Sequence, residues 1–241
     1  MQRGTAGLYQ LYERGIMPSI LHAAAGRGKV ETINGVSTHV PDFGPGSVAV
    51  RVISDTVIFY TADDSFNSFS NLVHSSFMLL QSGIAGRYPF RGAIGYGDLL
   101  DDNRAILVGS AIEDAYVGES AQAWSGCMLT EACRKYVAAQ GFAERRKEIC
   151  RALSVSHADR NGREFARENA NILTPYSVPT QNKKSSGKIN YSNFETIVID
   201  WTIRMFETAS EKAFLASSNP HAQKIAQNTI AFESWARMSN R

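Results

Sequence analysis

The chain has 241 residues, a mass of 26.5 kDa and a formal net charge of +2, with 44% hydrophobic and 20% charged residues. That composition is typical of a globular domain and excludes disorder as the default; near-neutrality disfavours nucleic-acid binding, since Arg145-Arg146-Lys147 is the sole compact basic cluster. Cys127, Cys133 and Cys150 are too sparse for a disulfide framework or a CxxC metal site and read as free thiols, no run of about 18 apolar residues could span a bilayer, and no signal pattern opens the chain, so a cytoplasmic protein is expected.

From Gly7 to Ala25 the apolar residues Leu8, Leu11, Tyr12, Ile16, Ile20 and Leu21 recur at helical spacing, which suggests a helix bent near Pro18. Gly26 to Gly46 is rich in Gly, Pro and polar residues and reads as a loop, at most with a short strand. At Val48 the period changes to two, and two antiparallel strands joined around Ser54-Asp55 fit the pattern. After the capping sequence Asp63-Asp64-Ser65, the residues Phe66, Phe69, Leu72, Val73, Phe77, Leu80 and Ile84 return to helical spacing. Phe90 to Tyr96 and Arg104 to Val108 read as strands separated by a turn, followed by a helix from Ser110 to Ala123 and a short strand from Cys127 to Thr130. Beyond Glu131 the chain becomes more charged and helical, with helices expected over Phe142 to Leu153, Asn161 to Glu168, Thr202 to Ala216 and Pro220 to Met238. Pro175 to Asn190 reads as the most loop-like segment, and Glu195 to Trp201 as a strand.

Strands alternating with helices on one side describe an α+β sandwich of the ferredoxin-like kind. We expect a single domain over 1–241, with a core of about 1–140 and a C-terminal, largely helical extension over about 141–241. The five histidines are scattered and fit no zinc motif, and neither GxGxxG nor GxxxxGK[ST] is present.

Three features carry chemistry. Asp55 stands at a hairpin turn, where Asp is common for backbone reasons and where a carboxylate is also a ligand for a hard cation. Arg91 opens Arg91-Gly92-Ala93-Ile94-Gly95-Tyr96-Gly97, and its guanidinium suits either phosphate oxygens or a surface carboxylate such as Asp98. Ile106-Leu107-Val108-Gly109-Ser110-Ala111-Ile112-Glu113 runs from a strand through one glycine into a helix.

In this order the motifs resemble those of the class III nucleotide cyclases, and most closely the bacterial pyrimidine cyclases of Pycsar anti-phage signalling. The resemblance implies a ferredoxin-like core, an antiparallel sheet with helices on one face. It implies that Asp55 holds Mg²⁺ or Mn²⁺ and that Arg91 contacts the triphosphate. Purine cyclases read their base at the positions of Arg51 and Ile106, where adenylate cyclases show Lys and Asp and guanylate cyclases Glu and Cys. Arginine is a donor only, which suits the O2 or O4 carbonyl of a pyrimidine, while Ile106 offers an exocyclic amine no partner; Arg51 as a solvent-facing strand residue stays open beside this. Glu113 and Val117 stand where ordinary cyclases carry an Asn and an Arg, so Glu113 reads either as a ribose or partner-subunit contact or as a solvated helix carboxylate.

The expected activity is conversion of UTP, or CTP, into its 3′,5′-cyclic monophosphate and pyrophosphate by a homodimer, the product acting on a separate effector in antiviral signalling. Neither nucleic-acid nor direct membrane binding is expected. Family members start with a strand that carries a second metal-binding Asp, followed by a phosphate-binding loop; these residues contain no match to it, and Asp42 lies too far into the next loop to replace it. Two expectations follow: the strand is encoded upstream of Met1, or the protein is a catalytically impaired cyclase-like module that binds nucleotide or dimerises. A ferredoxin-like RNA binder using Phe59 and Tyr60 is the third reading, disfavoured by charge.

Overall fold

A computed structural model describes residues 13, 17, 29–33, 36–40, 48–53, 55–87, 89–102, 106–142, 145, 148–149, 172–183, 189–203 and 219–239. The helices expected over 7–25, 142–153, 161–168 and 202–216 lie almost wholly outside these residues.

The first described elements are β1 (Lys29–Ile33) and β2 (Val36–Val40), an antiparallel pair in register from Lys29 opposite Val40 to Ile33 opposite Val36. The glycines of this region suggest a loop, but the β-branched residues Val30, Thr32, Ile33, Val36, Thr38 and Val40 favour a pleated strand. The alternation from Val48 produces β3 (Val48–Ile53) and β4 (Thr56–Thr61), paired from Val48 opposite Thr61 to Ile53 opposite Thr56, with Asp55 at the turn.

Helix α1 (Phe66–Gly86) starts where the sequence marks a cap. The Ser65 hydroxyl oxygen accepts from the Ser68 amide at 3.2 Å, satisfying one of the unpaired first-turn donors, and the Asp63 carboxylate accepts from the Ser65 amide at 3.0 Å. Its stripe Phe66, Phe69, Val73, Phe77, Leu80 and Ile84 is buried, and each such side chain contributes about 1.5–3 kcal/mol by leaving water.

The next elements are short: β5 (Gly92–Ile94), the hairpin of β6 (Leu100–Asp101) and β7 (Leu107–Val108), α2 (Ser110–Ala121), β8 (Cys127–Leu129) and α3 (Glu131–Ala139). Strands β9 (Leu173–Lys183) and β10 (Ile189–Ile199) form a long antiparallel hairpin, and α4 (Pro220–Ser239) closes the described chain. The main sheet has the order β5-β8-β10-β9, antiparallel except for the parallel pair β5 and β8, which α2 connects. The architecture is α+β, and the sheet is mixed where a wholly antiparallel one is expected, because a crossover helix rather than a tight turn joins β5 to β8.

The segment beyond residue 140 also differs from a helical appendage, since β9 and β10 supply half of the main sheet. Pro175 and Pro179 make β9 read as loop; they are tolerated because β9 is the edge strand of the main sheet, with β10 as its ladder partner and only an isolated bridge, Thr180 to Gln122, on its other side. Helix α4 then packs back through Phe232 and Ala236, both fully buried. The β3–β4 hairpin is a separate two-stranded sheet that rests on α1, and no strand among the described residues bridges it to β5. Among the described residues no helix is long and apolar enough to cross a membrane.

Candidate functional site

A groove of about 1350 Å³ lies between the β4 strand and β5. Phe69, Leu72 and Leu79 of α1 give it an apolar lining, and Asp55, Arg91, Asp101 and Glu119 bring charge to it. Its volume exceeds the several hundred cubic ångströms of an ordinary small-molecule site, which leaves room for a nucleoside triphosphate.

Asp55 lines this groove from the exposed hairpin tip, and Arg91 lines it from the residue preceding β5. Both residues therefore line the same groove, at its hairpin side and at its β5 side. Arg91 is held from the side of α2: its Nε donates to Glu119 Oε1, and its Nη1 donates to the Gln122 carbonyl at 3.1 Å. Gln122 is itself fully buried, donating from Nε2 to the Gly92 carbonyl at 2.7 Å and accepting from Trp124 Nε1 at 2.9 Å. The carboxylate partner of Arg91 is thus Glu119, 28 residues away in sequence, and not the nearby Asp98.

The other three expected site residues do not line the groove. Arg51 points to β6, its Nη2 donating to the two Asp101 carboxylate oxygens at 3.1 and 3.3 Å, and this hydrogen bond, followed by the carboxylate's charge, raises the guanidinium above its ordinary value. Ile106 is 55% exposed beside the β6–β7 turn, its amide donating to Asp102 Oδ1 at 2.8 Å. Glu113 is exposed in the first turn of α2.

Several groups at the groove escape a reading of local pattern. The Tyr60 hydroxyl donates to the same Asp101 carboxylate that holds Arg51; burial first, and this hydrogen bond second, push the phenol upward. Tyr96 and Tyr136 stack with centroids 4.0 Å apart, and the Tyr136 hydroxyl donates to the Asp64 carbonyl at 2.6 Å. Asp114 joins α2 to this layer, accepting from the Tyr96 amide at 3.2 Å and from the Thr130 hydroxyl. The signals for Tyr60 and Glu119 are present in the sequence, as a polar-tipped aromatic on a strand and a carboxylate one turn beyond Tyr116, but their partners lie 41 and 28 residues away.

Gly95 lets α2 lie directly on the chain leaving β5. A Cβ there would sit 2.4 Å from the Ala111 carbonyl oxygen and 2.8 Å from the Ala115 nitrogen, so no larger residue fits without moving the helix.

Burial pushes the thiols of Cys127 and Cys133 up to about 12, which keeps them protonated and makes them poor nucleophiles and poor ligands. Among the described residues no three His, Cys, Asp or Glu side chains are gathered to hold a metal ion. A single carboxylate at Asp55 fits the way Mg²⁺ commonly binds, through one or two carboxylates together with substrate phosphates. No family model, curated protein or solved structure matches this chain.

Proposed function

We propose that the protein is a pyrimidine nucleotide cyclase with a class III, ferredoxin-like core, converting UTP, and secondarily CTP, into the 3′,5′-cyclic monophosphate and pyrophosphate. The observation that carries this reading is that one groove of sufficient size receives both the hairpin-tip carboxylate of Asp55 and the guanidinium of Arg91. Arg91 would exchange Glu119 for phosphate oxygens, for which its planar fork is suited. Asp55, with those phosphates, would hold Mg²⁺ or Mn²⁺, whose charge offsets the negative charge that develops in phosphoryl transfer. The 3′-oxygen forms its bond to the α-phosphorus, the bridging bond to the β-phosphate breaks, pyrophosphate leaves and the hydroxyl proton passes to water.

The homodimer implied by the resemblance is supported by apolar side chains left exposed on α2 and the β6–β7 hairpin: Tyr116 at 68%, Val117 at 61%, Leu100 at 60% and Val108 at 55%. In this reading the product is a cytoplasmic second messenger for a separate antiviral effector. A second reading, a cyclase-like protein that binds nucleotide without turning it over, is favoured by one observation, the occupation of the Arg91 guanidinium by Glu119 and Gln122.

Pyrophosphate release from UTP with Mn²⁺ tests the proposal. Asp55→Asn and Arg91→Ala are each expected to lower the rate by about a hundredfold or more, as removal of a transition-state contact does. Release from UTP at an undiminished rate by both variants refutes the assignment, whereas a wild-type protein that binds UTP without releasing pyrophosphate selects the second reading.

A further inference from the structure

A second concavity, of about 490 Å³, opens where α4 faces the β9–β10 hairpin, and it shares no lining residue with the groove. Its volume falls within the range of about 300–1,000 Å³ that small-molecule sites occupy. Ser177 of β9, Tyr191, Ser192 and Asn193 of β10, and Lys224 and Asn228 of α4 stand on its walls. Lys224 and Asn228 are four residues apart and so share one face of the helix. The Asn228 amide is fixed by donating from Nδ2 to the Ala123 carbonyl at 2.7 Å.

The charge of this cleft is one-sided. Lys224 is half-buried, and no Asp or Glu is among the lining residues. Glu195 stands opposite Ser177 in the ladder but is exposed and does not line the cleft. Among the described residues Lys224 makes no ion pair, and its contact is with the Tyr191 ring, whose centroid lies 5.9 Å from Nζ. The Ser177 and Asn193 side chains likewise make no hydrogen bond among the described residues, so their donors are available to a ligand.

We propose that this cleft binds a small phosphate ester carrying a planar ring, of the size of a nucleoside monophosphate. An ammonium partly withdrawn from water without a counter-ion gains most from a ligand that brings the anion. A phosphate offers several strong acceptor oxygens, which match the three donors of Lys224 and the hydroxyl and amide donors beside it. Tyr191 is 44% exposed and presents a ring on which a flat heterocycle stacks. A ligand stacked there holds its phosphate within reach of the ammonium that lies over the same ring. The site needs neither a divalent ion nor Asp55 and Arg91, and so stands apart from the cyclase reading.

Calorimetric titration with UMP, AMP, uridine and inorganic phosphate tests this, in EDTA so that no divalent ion contributes, on the wild type, Lys224→Gln, Tyr191→Ala and Arg91→Ala. The wild type is expected to bind UMP and AMP saturably and uridine at least about tenfold more weakly, with affinity for the nucleotides falling as salt rises. K224Q, which keeps the apolar stem, should weaken UMP and inorganic phosphate by about tenfold, the effect of one charge-assisted hydrogen bond. Y191A should weaken UMP several-fold and leave inorganic phosphate unchanged, a split that general damage to the fold would not produce. R91A should leave UMP binding as it is. No saturable binding of UMP by the wild type, or binding that K224Q leaves intact or R91A abolishes, overturns the inference and leaves the cyclase reading to its own test.

Discussion

Replacing Glu119 with Gln releases Arg91 from its carboxylate while keeping the shape of the side chain. In the structure Arg91 and Glu119 are 28% and 29% exposed, so the pair is a partly solvated one and contributes about 0.2–1 kcal/mol rather than the several kcal/mol of a buried pair. If triphosphate must displace Glu119, that energy is subtracted from every binding event, and E119Q recovers it. At about 1.4 kcal/mol per factor of ten, UTP affinity should rise by about 1.4- to 5-fold, with a loss of stability of the same size, at most about 1 kcal/mol. The Gln122 carbonyl continues to hold Nη1 at 3.1 Å, so the guanidinium stays near its place in the variant. Calorimetric titration of UTP at fixed ionic strength, beside urea unfolding, reads both quantities. Unchanged or weaker UTP binding by a folded E119Q protein would refute the idea that Glu119 and phosphate compete for Arg91.

Phe232 is fully buried and in ring contact with Trp124 at 4.6 Å, Tyr176 at 4.9 Å, and Trp201 and Trp235 both at 5.8 Å, so Phe232→Ala should cost about 3–5 kcal/mol in urea unfolding. These are the three tryptophans of the chain, so its emission reports this cluster, and a loss below about 1 kcal/mol with unchanged emission would contradict the packing. Gly95→Ala forces α2 away from β5 and should cost about 1–3 kcal/mol by overpacking, together with UTP binding; a protein of wild-type melting temperature would show that the helix is free to move. Burial, helped by Asp64, pushes the Tyr136 phenol up to about 12 from 10.0. A raised value means the folded state favours the protonated phenol, so this stabilisation is complete below about pH 10 and is lost as pH climbs toward about 12. Tyr136→Phe should flatten the alkaline fall in melting temperature, and an identical slope in the two proteins would count against it.

What the sequence reveals and what it conceals divide along physical lines. The β3–β4 hairpin and α1 are legible because each writes its period directly, alternation over Val48 to Val52 and a three-and-four spacing over Phe66 to Ile84, with Ser65 marking the start. β9 is not legible, because Pro175, Pro179, Gln181 and Asn182 look like loop to any local rule and become a strand through pairing with β10. The site divides the same way. Asp55 and Arg91 announce themselves by residue type and by their place at element ends, and one groove receives both. The partner of Arg51 is 50 residues away, and that of Arg91 is 28, so neither ion pair leaves a mark in any short window. Long-range pairing decides where a guanidinium points, and hence why Arg51 meets the β6 carboxylate of Asp101; Ile106 and Glu113 are exposed and are not among the groove's lining residues.

The most direct measurement is the mass-spectrometric identity of the product formed when the protein is incubated, in separate reactions with Mn²⁺, with UTP, CTP, ATP and GTP. The expected result is a 3′,5′-cyclic uridine monophosphate, with less of the cytidine product, each matched by an equal amount of pyrophosphate. Cyclic products from purines alone, or open-chain monophosphate with no cyclic nucleotide, would contradict the assignment.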